Sequence, residues 1–187
     1  MKIRLASELQ YDSIVDGEGI RTVIWTQGCP HNCLGCHNPG THAFDGGFLI
    51  DVDDIKKQIV SYQNQDGITL SGGDPFSQPE ACYEIASYAK EQGLNVWCYT
   101  GYTYDVLLTM AKSNDIYMKL LQNIDVLIDG KFMLNLRNLS LKFRGSSNQR
   151  VIDVPKSLEA GEVILVSKYH QIDIGLDLYK KPDYMFV

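Results

Sequence analysis

Nothing in the chain runs apolar for the roughly 20 residues that a membrane-spanning helix needs. The opening MKIRLASELQ also lacks the apolar stretch of a secretory signal. Basic residues are scarce: 17 Lys and Arg stand against 23 Asp and Glu, for a net charge of −6. A phosphate-tracking surface is therefore not expected, and neither nucleic acid nor a membrane is an expected partner. No internal repeat, low-complexity tract or Pro/Gly-rich linker divides the chain, so residues 1–187 are expected to form a single domain. Hydrophobic residues make up 44% and charged residues 21%, which suits a globular protein with a real core. The five cysteines are an odd number with no secretory context, which argues against a disulfide framework. The expected compartment is the cytoplasm, where thiols stay reduced.

What is present is a tight cysteine group. Cys29, Cys33 and Cys36 lie in GCPHNCLGCHNPG with the spacing C-x3-C-x2-C. A four-iron cube normally takes four thiolates, so three leave one iron with an open position where chemistry can occur. His37 follows Cys36 directly, so a Cys3His zinc site is the competing reading. Zinc modules, however, usually separate their ligands into two distant pairs, and no second pair follows here. Cys82, on the apolar stripe of a helix, and Cys98, within a strand, read as core thiols. His31 and His37 flank the cysteines and could tune a bound group; His42 and His170 suggest no role.

Strand and helix patterns alternate along the chain. Thr22 to Thr26, Gly67 to Leu70, Asn95 to Tyr99 and Ile124 to Ile128 read as short buried strands, and Arg150 to Val154 and Glu162 to Val166 as two more. Val52 to Tyr62 and Tyr104 to Ala111 carry helical stripes. A further helix is expected after Ser77 as N-cap, with Glu80 completing a capping box, Pro79 in the first turn and Gly93 as the stop. Alternation of this kind predicts an α/β fold of about five or six parallel strands, too few for a closed eight-stranded barrel. An open partial (β/α) barrel or an open curved sheet is the consistent architecture. Sites in such folds form at the carboxyl ends of the strands. The unusual motifs fall there: the cysteine loop, Ser71-Gly72-Gly73-Asp74, Thr100-Gly101 and Asp129-Gly130.

Each motif has a plain structural reading and a chemical one. Ser71-Gly72-Gly73-Asp74-Pro75 suits a strand-to-helix turn; it also brings backbone carbonyls and a carboxylate to where an ammonium group could bind. Thr100 could cap its strand and Asp129 a helix. Asp16-Gly17-Glu18-Gly19-Ile20-Arg21 is a glycine-rich turn with a possible surface ion pair.

Together these segments resemble a known family. The cysteine spacing is similar to that of the radical S-adenosylmethionine (SAM) superfamily, in which the amino and carboxylate groups of SAM chelate the fourth iron. SGGDP looks like the glycine-glycine-glutamate motif that holds the SAM amino group, with Asp74 on a shorter arm. VDGEGIR, the loop ending in CHNP, SGGDP and RGSSNQR resemble the activating proteins of anaerobic ribonucleoside-triphosphate reductase over residues 11 to 166, within the glycyl-radical activating group. The resemblance implies the radical SAM type of partial barrel, a [4Fe-4S] cluster on Cys29, Cys33 and Cys36, and SAM held by Ser71, Gly72, Gly73, Asp74, Thr100 and Asp129. Where many superfamily members carry an aromatic before the last cysteine, Gly35 leaves a space, so the backbone of Gly35, Cys36 and His37 is the expected adenine platform. Added bulk at Gly73 is expected to block SAM and spare the iron. Asp16, Gly17 and Arg21 are expected to meet the peptide to be activated. Arg144 and Arg150 bracket GSSNQ, which is either a solvated loop or a contact to SAM or partner. The implied reaction is reductive cleavage of SAM and formation of a glycyl radical on the reductase large subunit, with a flavodoxin or ferredoxin as electron donor. Another small radical SAM enzyme (a different glycyl-radical activase, or one like the deazaguanine synthases) and a zinc-binding interaction module are the rival readings. The eight-cysteine insert of larger relatives is lacking, and the stretch from Tyr169 to Val187 matches nothing.

Overall fold

A computed structural model describes residues 1–170. Part of the 169–187 stretch thus lies outside the described residues. In chain order the elements are β1 (Lys2–Leu5), β2 (Gln10–Ser13), β3 (Arg21–Thr26), β4 (Phe48–Asp51), α1 (Val52–Ser61), β5 (Gly67–Gly72), α2 (Pro79–Glu91), β6 (Asn95–Tyr99), α3 (Tyr104–Ser113), α4 (Ile116–Gln122), β7 (Val126–Asp129), β8 (Arg150–Asp153) and α5 (Val154–Ala160). The described strands form one eight-stranded sheet in the order β4-β1-β3-β5-β6-β7-β8, with β2 paired to β3. The fold is mixed α/β.

The centre of the sheet is parallel. β3 pairs with β5, β5 with β6 and β6 with β7, with Thr22 opposite Ile68, Ile68 opposite Val96 and Cys98 opposite Leu127. Helices connect these strands, as parallel pairing requires. Alternate residues then face opposite ways. Ile24, Ile68, Leu70, Val96, Cys98 and Leu127 pack against Ile55 and Ile59 of α1, Cys82, Ile85 and Ala89 of α2, and Leu107, Leu120 and Leu121 of α3 and α4. The opposite face carries a smaller cluster of Trp97, Ile128, Val151 and Tyr169, with Tyr99 and Phe143 against it.

Three expectations need correction. The parallel strands number four, because β8 runs antiparallel to β7 and β1, β2 and β4 are also antiparallel. The chain returns from β7 to β8 through a loop without a crossover helix, which makes the reversal possible. The expected Glu162 to Val166 strand is reduced to a single bridge, Ile152 to Leu165. The capping box at Ser77 does not form. Asp74 instead caps a short 3-10 turn over Pro75–Ser77 by accepting from Phe76 N at 2.9 Å, and α2 starts at Pro79 with no side-chain cap. Asp74 stands one residue before a proline whose fixed φ opens that turn, so it reaches the amide first.

Candidate functional site

The carboxyl ends of β3, β5, β6 and β7 bound a cleft of about 390 Å3. Its wall carries Cys29, Cys33 and Cys36, then Ser71 to Gly73, Thr100-Gly101 and Gly130. The four motif loops therefore meet at one mouth, as the alternation of elements predicts.

The cysteine loop is tied to its own return segment: Gly28 N donates to Thr41 O at 2.8 Å and Cys29 N to His42 O at 3.1 Å. Gly28 and Gly35 take φ of 98° and 76°, and Asn32 takes 47°, so the loop turns sharply at left-handed positions. All three thiols are unpaired and partly exposed to the cleft. Burial pushes the Cys29 thiol above its ordinary range, and the charges of Asp74, Cys33 and Cys36 push the same way. Asn38 N donates to Cys36 Sγ at 3.4 Å.

This donor set fits an iron–sulfur cluster. Three soft thiols share one cleft, and a backbone N–H points at one sulfur. A bound metal's positive charge favours the thiolate form of such thiols. Two cleft residues, His42 and Arg144, keep buried nitrogens (Nε2 and Nε) with no partner among the described residues, so the wall has polar capacity to spare. No three His, Cys, Asp or Glu side chains among the described residues converge on a single-ion site. His37 packs on the Phe132 ring, centroids 5.6 Å apart.

The glycine pair also ties two strand ends together. Gly73 N donates to Thr26 O at 2.7 Å and Asp74 N to Gly28 O at 2.9 Å, binding the exit of β5 to the exit of β3. A Cβ on Gly73 would lie 2.3 Å from Gly28 O, beside Cys29. Bulk at Gly73 would therefore press on the cysteine loop, which argues against the expectation that the iron would be spared. Gly72, at φ 100°, would press on Thr26 N at 2.6 Å.

Asp74 and Asp129 stand behind the cleft wall. Asp74 is fully buried, with donors from Phe76, Thr100, Gly101 and His31 on its carboxylate. The Thr100 hydroxyl donates to Asp74 Oδ2 at 2.9 Å, so only the rest of Thr100 faces the cleft. Asp129 is 1% exposed and takes Tyr104 N at 2.8 Å and Arg150 Nε at 3.0 Å. It starts α3 and anchors β8. The carboxylate raises the Arg150 pKa through this hydrogen bond. Neither aspartate lines the cleft; the sequence placed both there because it shows position along the strand and not side-chain direction.

Of the expected peptide contacts, Asp16 lies on the wall, with its Oδ2 accepting from Ser13 Oγ at 2.5 Å. Gly17 turns at φ 133°, where a Cβ would meet Trp97 at 2.9 Å. Arg21 is not available to a partner. It is 1% exposed, stacks 5.6 Å from the Trp97 ring centroid, and donates to Thr69 Oγ1 at 3.0 Å and Asn95 O at 3.0 Å. Burial pulls its pKa down to about 10, still charged at neutral pH. It stands at the amino end of the parallel strands, opposite the cleft.

Several wall residues escaped the sequence reading. Trp25 and Tyr99 were visible as strand residues; their period-two placement with Ser71 could have shown that they share the cleft face. Phe132, on the wall, and Leu134, packed beside Gly35, were not foreseeable. They fill the space beside Gly35, where a Cβ would lie 3.0 Å from Leu134, so that space is not left empty. The GSSNQ loop is not merely solvated. Gln149 Nε2 donates to Gly130 O at 3.0 Å, its Oε1 accepts from Gly145 N at 2.9 Å, and Arg144 donates to Gln149 O at 2.8 Å and to Tyr169 O at 2.9 Å.

Residues 15–152 match the family described as a 4Fe-4S single cluster domain. The chain is also similar to the anaerobic ribonucleoside-triphosphate reductase-activating protein of Haemophilus influenzae, at 36% identity over 154 residues, 75% of this chain and 94% of that protein. The protein of that name from Escherichia coli strain K12 is 37% identical over 150 residues, 74% of this chain and 91% of its own. The chain belongs to this family of activating proteins. The likeness extends to the protein of the same name from Enterobacteria phage T4, at 32% over 155 residues, 76% of this chain and 93% of its own. The matched span runs from the glycine-rich turn through the cysteine loop to β8 and contains the whole cleft wall.

Proposed function

We propose that the chain is a radical SAM activase of anaerobic ribonucleoside-triphosphate reductase. The observation that carries the reading is the meeting of Cys29, Cys33 and Cys36 with the ends of four parallel strands around one cleft, in a chain of this family. The parallel run with helices on one face supports the open partial barrel of the radical SAM type, with residues 1–187 as one domain. A [4Fe-4S] cluster held by Cys29, Cys33 and Cys36 would supply, once reduced, the one electron for reductive cleavage of SAM, and with it the radical chemistry that removes a hydrogen atom from a glycine Cα of the reductase.

The chain's residues hold, orient and exclude water. Cys29, Cys33 and Cys36 hold the cluster at the cleft mouth. The backbone of Ser71, Gly72 and Gly73 lies beside the cysteine loop, where carbonyls can accept from the SAM amino group. Cys36 and His37, with Phe132 on the same wall, offer a face to the adenine, and Gly35 packs behind them on Leu134 and Phe132. Trp25, Tyr99 and Phe143 line the rest and keep water from a radical. Asp16 is the wall carboxylate placed to accept from the backbone of an incoming peptide. A flavodoxin or ferredoxin is the fitting electron donor and the cytoplasm the fitting compartment; no described helix is long and apolar enough to cross a membrane.

The test is anaerobic reconstitution with iron and sulfide, followed by reduction with SAM and the cognate reductase. About four irons per chain, release of methionine and 5′-deoxyadenosine, and a glycyl-radical EPR doublet on the reductase are expected. Asp16→Ala should keep iron and SAM affinity and lower the doublet under limiting enzyme. A protein that cleaves SAM yet never produces the doublet would sink the activase reading in favour of a small-molecule radical SAM enzyme.

A further inference from the structure

We infer that Asp74 and His31 form one buried positioning unit, which sets where the cysteine loop stands relative to the ends of β5 and β6, and that Asp74 is not a ligand of SAM. The inference rests on the proposed function for the identity of what binds in the cleft. Its basis is the saturation of the Asp74 carboxylate. Oδ1 accepts from Phe76 N at 2.9 Å; Oδ2 accepts from Gly101 N at 3.0 Å and from the Thr100 hydroxyl at 2.9 Å, and lies 2.6 Å from His31 Nε2. The other three contacts on this carboxyl are donors, and His31 Nε2 is placed to be the fourth. The Asp74 side chain is fully buried and that of His31 is 5% exposed. Turning the carboxylate towards an ammonium in the cleft would strand four buried donors, which hydrogen bonding in an interior disfavours strongly.

The unit also has a built seat. The His31 ring meets Tyr102 edge-on, centroids 4.4 Å apart, and lies so close to Gly101 that a Cβ there would fall 2.2 Å from its Cδ2. His31 stands between Cys29 and Cys33 in the chain, while Asp74 and Gly101 follow β5 and β6. One side-chain pair thus joins the cluster loop to both strand ends that bound the ligand space. The short arm of an aspartate keeps its carboxylate within this seat; a glutamate would carry it one methylene further, past the Thr100 and Gly101 donors.

The test compares His31→Gln, Asp74→Asn and the double variant in the full chain. After anaerobic reconstitution, iron per chain, the EPR signal of the reduced protein with and without SAM, and SAM affinity by equilibrium dialysis are measured. If the pair is one unit, each single variant weakens SAM binding about tenfold and blunts the SAM-induced change in the EPR signal, and the double variant falls within about twofold of the singles. A loss in Asp74→Asn with none in His31→Gln would mark Asp74 as a direct ligand and overturn the inference, as would losses that multiply in the double variant. The same cycle in the thermal melt of cluster-free protein reads the pair without any ligand: non-additive shifts are expected, and additive ones overturn the unit even if a variant fails to hold iron. Wild-type protein that binds no SAM would instead remove the proposed function, leaving the melt cycle to decide on the pair.

Discussion

Gly73→Ala isolates the packing of the glycine pair. Gly73 is not at a positive φ, so alanine meets no backbone penalty there, and the effect comes from space alone. The new Cβ would lie 2.3 Å from Gly28 O and 2.8 Å from Gly28 C, and backbone cannot rotate aside as a side chain would. Relief must separate the exits of β3 and β5 and stretch the bonds from Gly73 N to Thr26 O and from Asp74 N to Gly28 O. Two backbone bonds at about 0.5–1.5 kcal/mol each, with overpacking of about 1–3 kcal/mol, give about 2–6 kcal/mol. At about 2–4 °C per kcal/mol for a chain of this size, the cluster-free melting temperature should fall by roughly 5–20 °C. Because Gly28 precedes Cys29, iron bound after anaerobic reconstitution should fall too. Gly40→Ala is the control, since nothing lies within 4 Å of a Cβ there. A Gly73→Ala protein with wild-type melting and iron content would refute the reasoning, and loss of SAM affinity alone would show that the ligand contact of this glycine outweighs its packing.

Cys29→Ala, Cys33→Ala and Cys36→Ala should each abolish iron binding, while Cys82→Ala and Cys98→Ala keep it, because those two thiols are fully buried in the core and neither lines the cleft; iron analysis with the visible absorption spectrum checks this. Arg150→Gln should destabilise the cluster-free protein by about 1.5–3 kcal/mol, the worth of a hydrogen bond to a charged group, since Asp129 is 1% exposed and would lose its cation; denaturant titration measures it, and an unchanged midpoint would contradict the anchoring role. Glu18 is held below its ordinary 4.5 first by the hydrogen bond from Lys168 and then by that from Tyr169. A depressed carboxyl pKa contributes stability above its unfolded value that fades as pH falls through the folded one. Glu18→Gln should therefore flatten the loss of stability as pH falls below the ordinary 4.5 of this carboxyl, read by denaturant titration across that range.

Much of the site was legible because it depends on local spacing. The cysteine loop, the turn after β5, and the ends of β6 and β7 are short contiguous motifs, and the alternation of strand and helix places such loops at one end of a parallel sheet. The antiparallel strands β1, β2 and β4 were missed because they lack the buried apolar run that marks the central strands: β2 buries one residue, β4 none, and β1 only Ile3 and Leu5. Arg21 was misplaced for a related reason: a charged residue in a glycine-rich turn reads as surface, and only the assembled sheet shows Thr69, Asn95 and Trp97 surrounding its guanidinium.

The sequence by itself determined the cysteine spacing, its position after the first parallel strand, the α/β alternation and the family, since each is carried by residue identity over short distances. The tertiary structure alone decided direction and occupancy. It turned Asp74 and Asp129 into the wall, set Gly73 against Gly28, brought Phe132 and Leu134 beside Gly35, and buried Arg21 at the far end of the strands. Those outcomes depend on which donors, rings and carbonyls arrive from residues distant in the chain. Their partners are fixed by close packing and by the need to satisfy every buried polar group, and neither is written in local spacing.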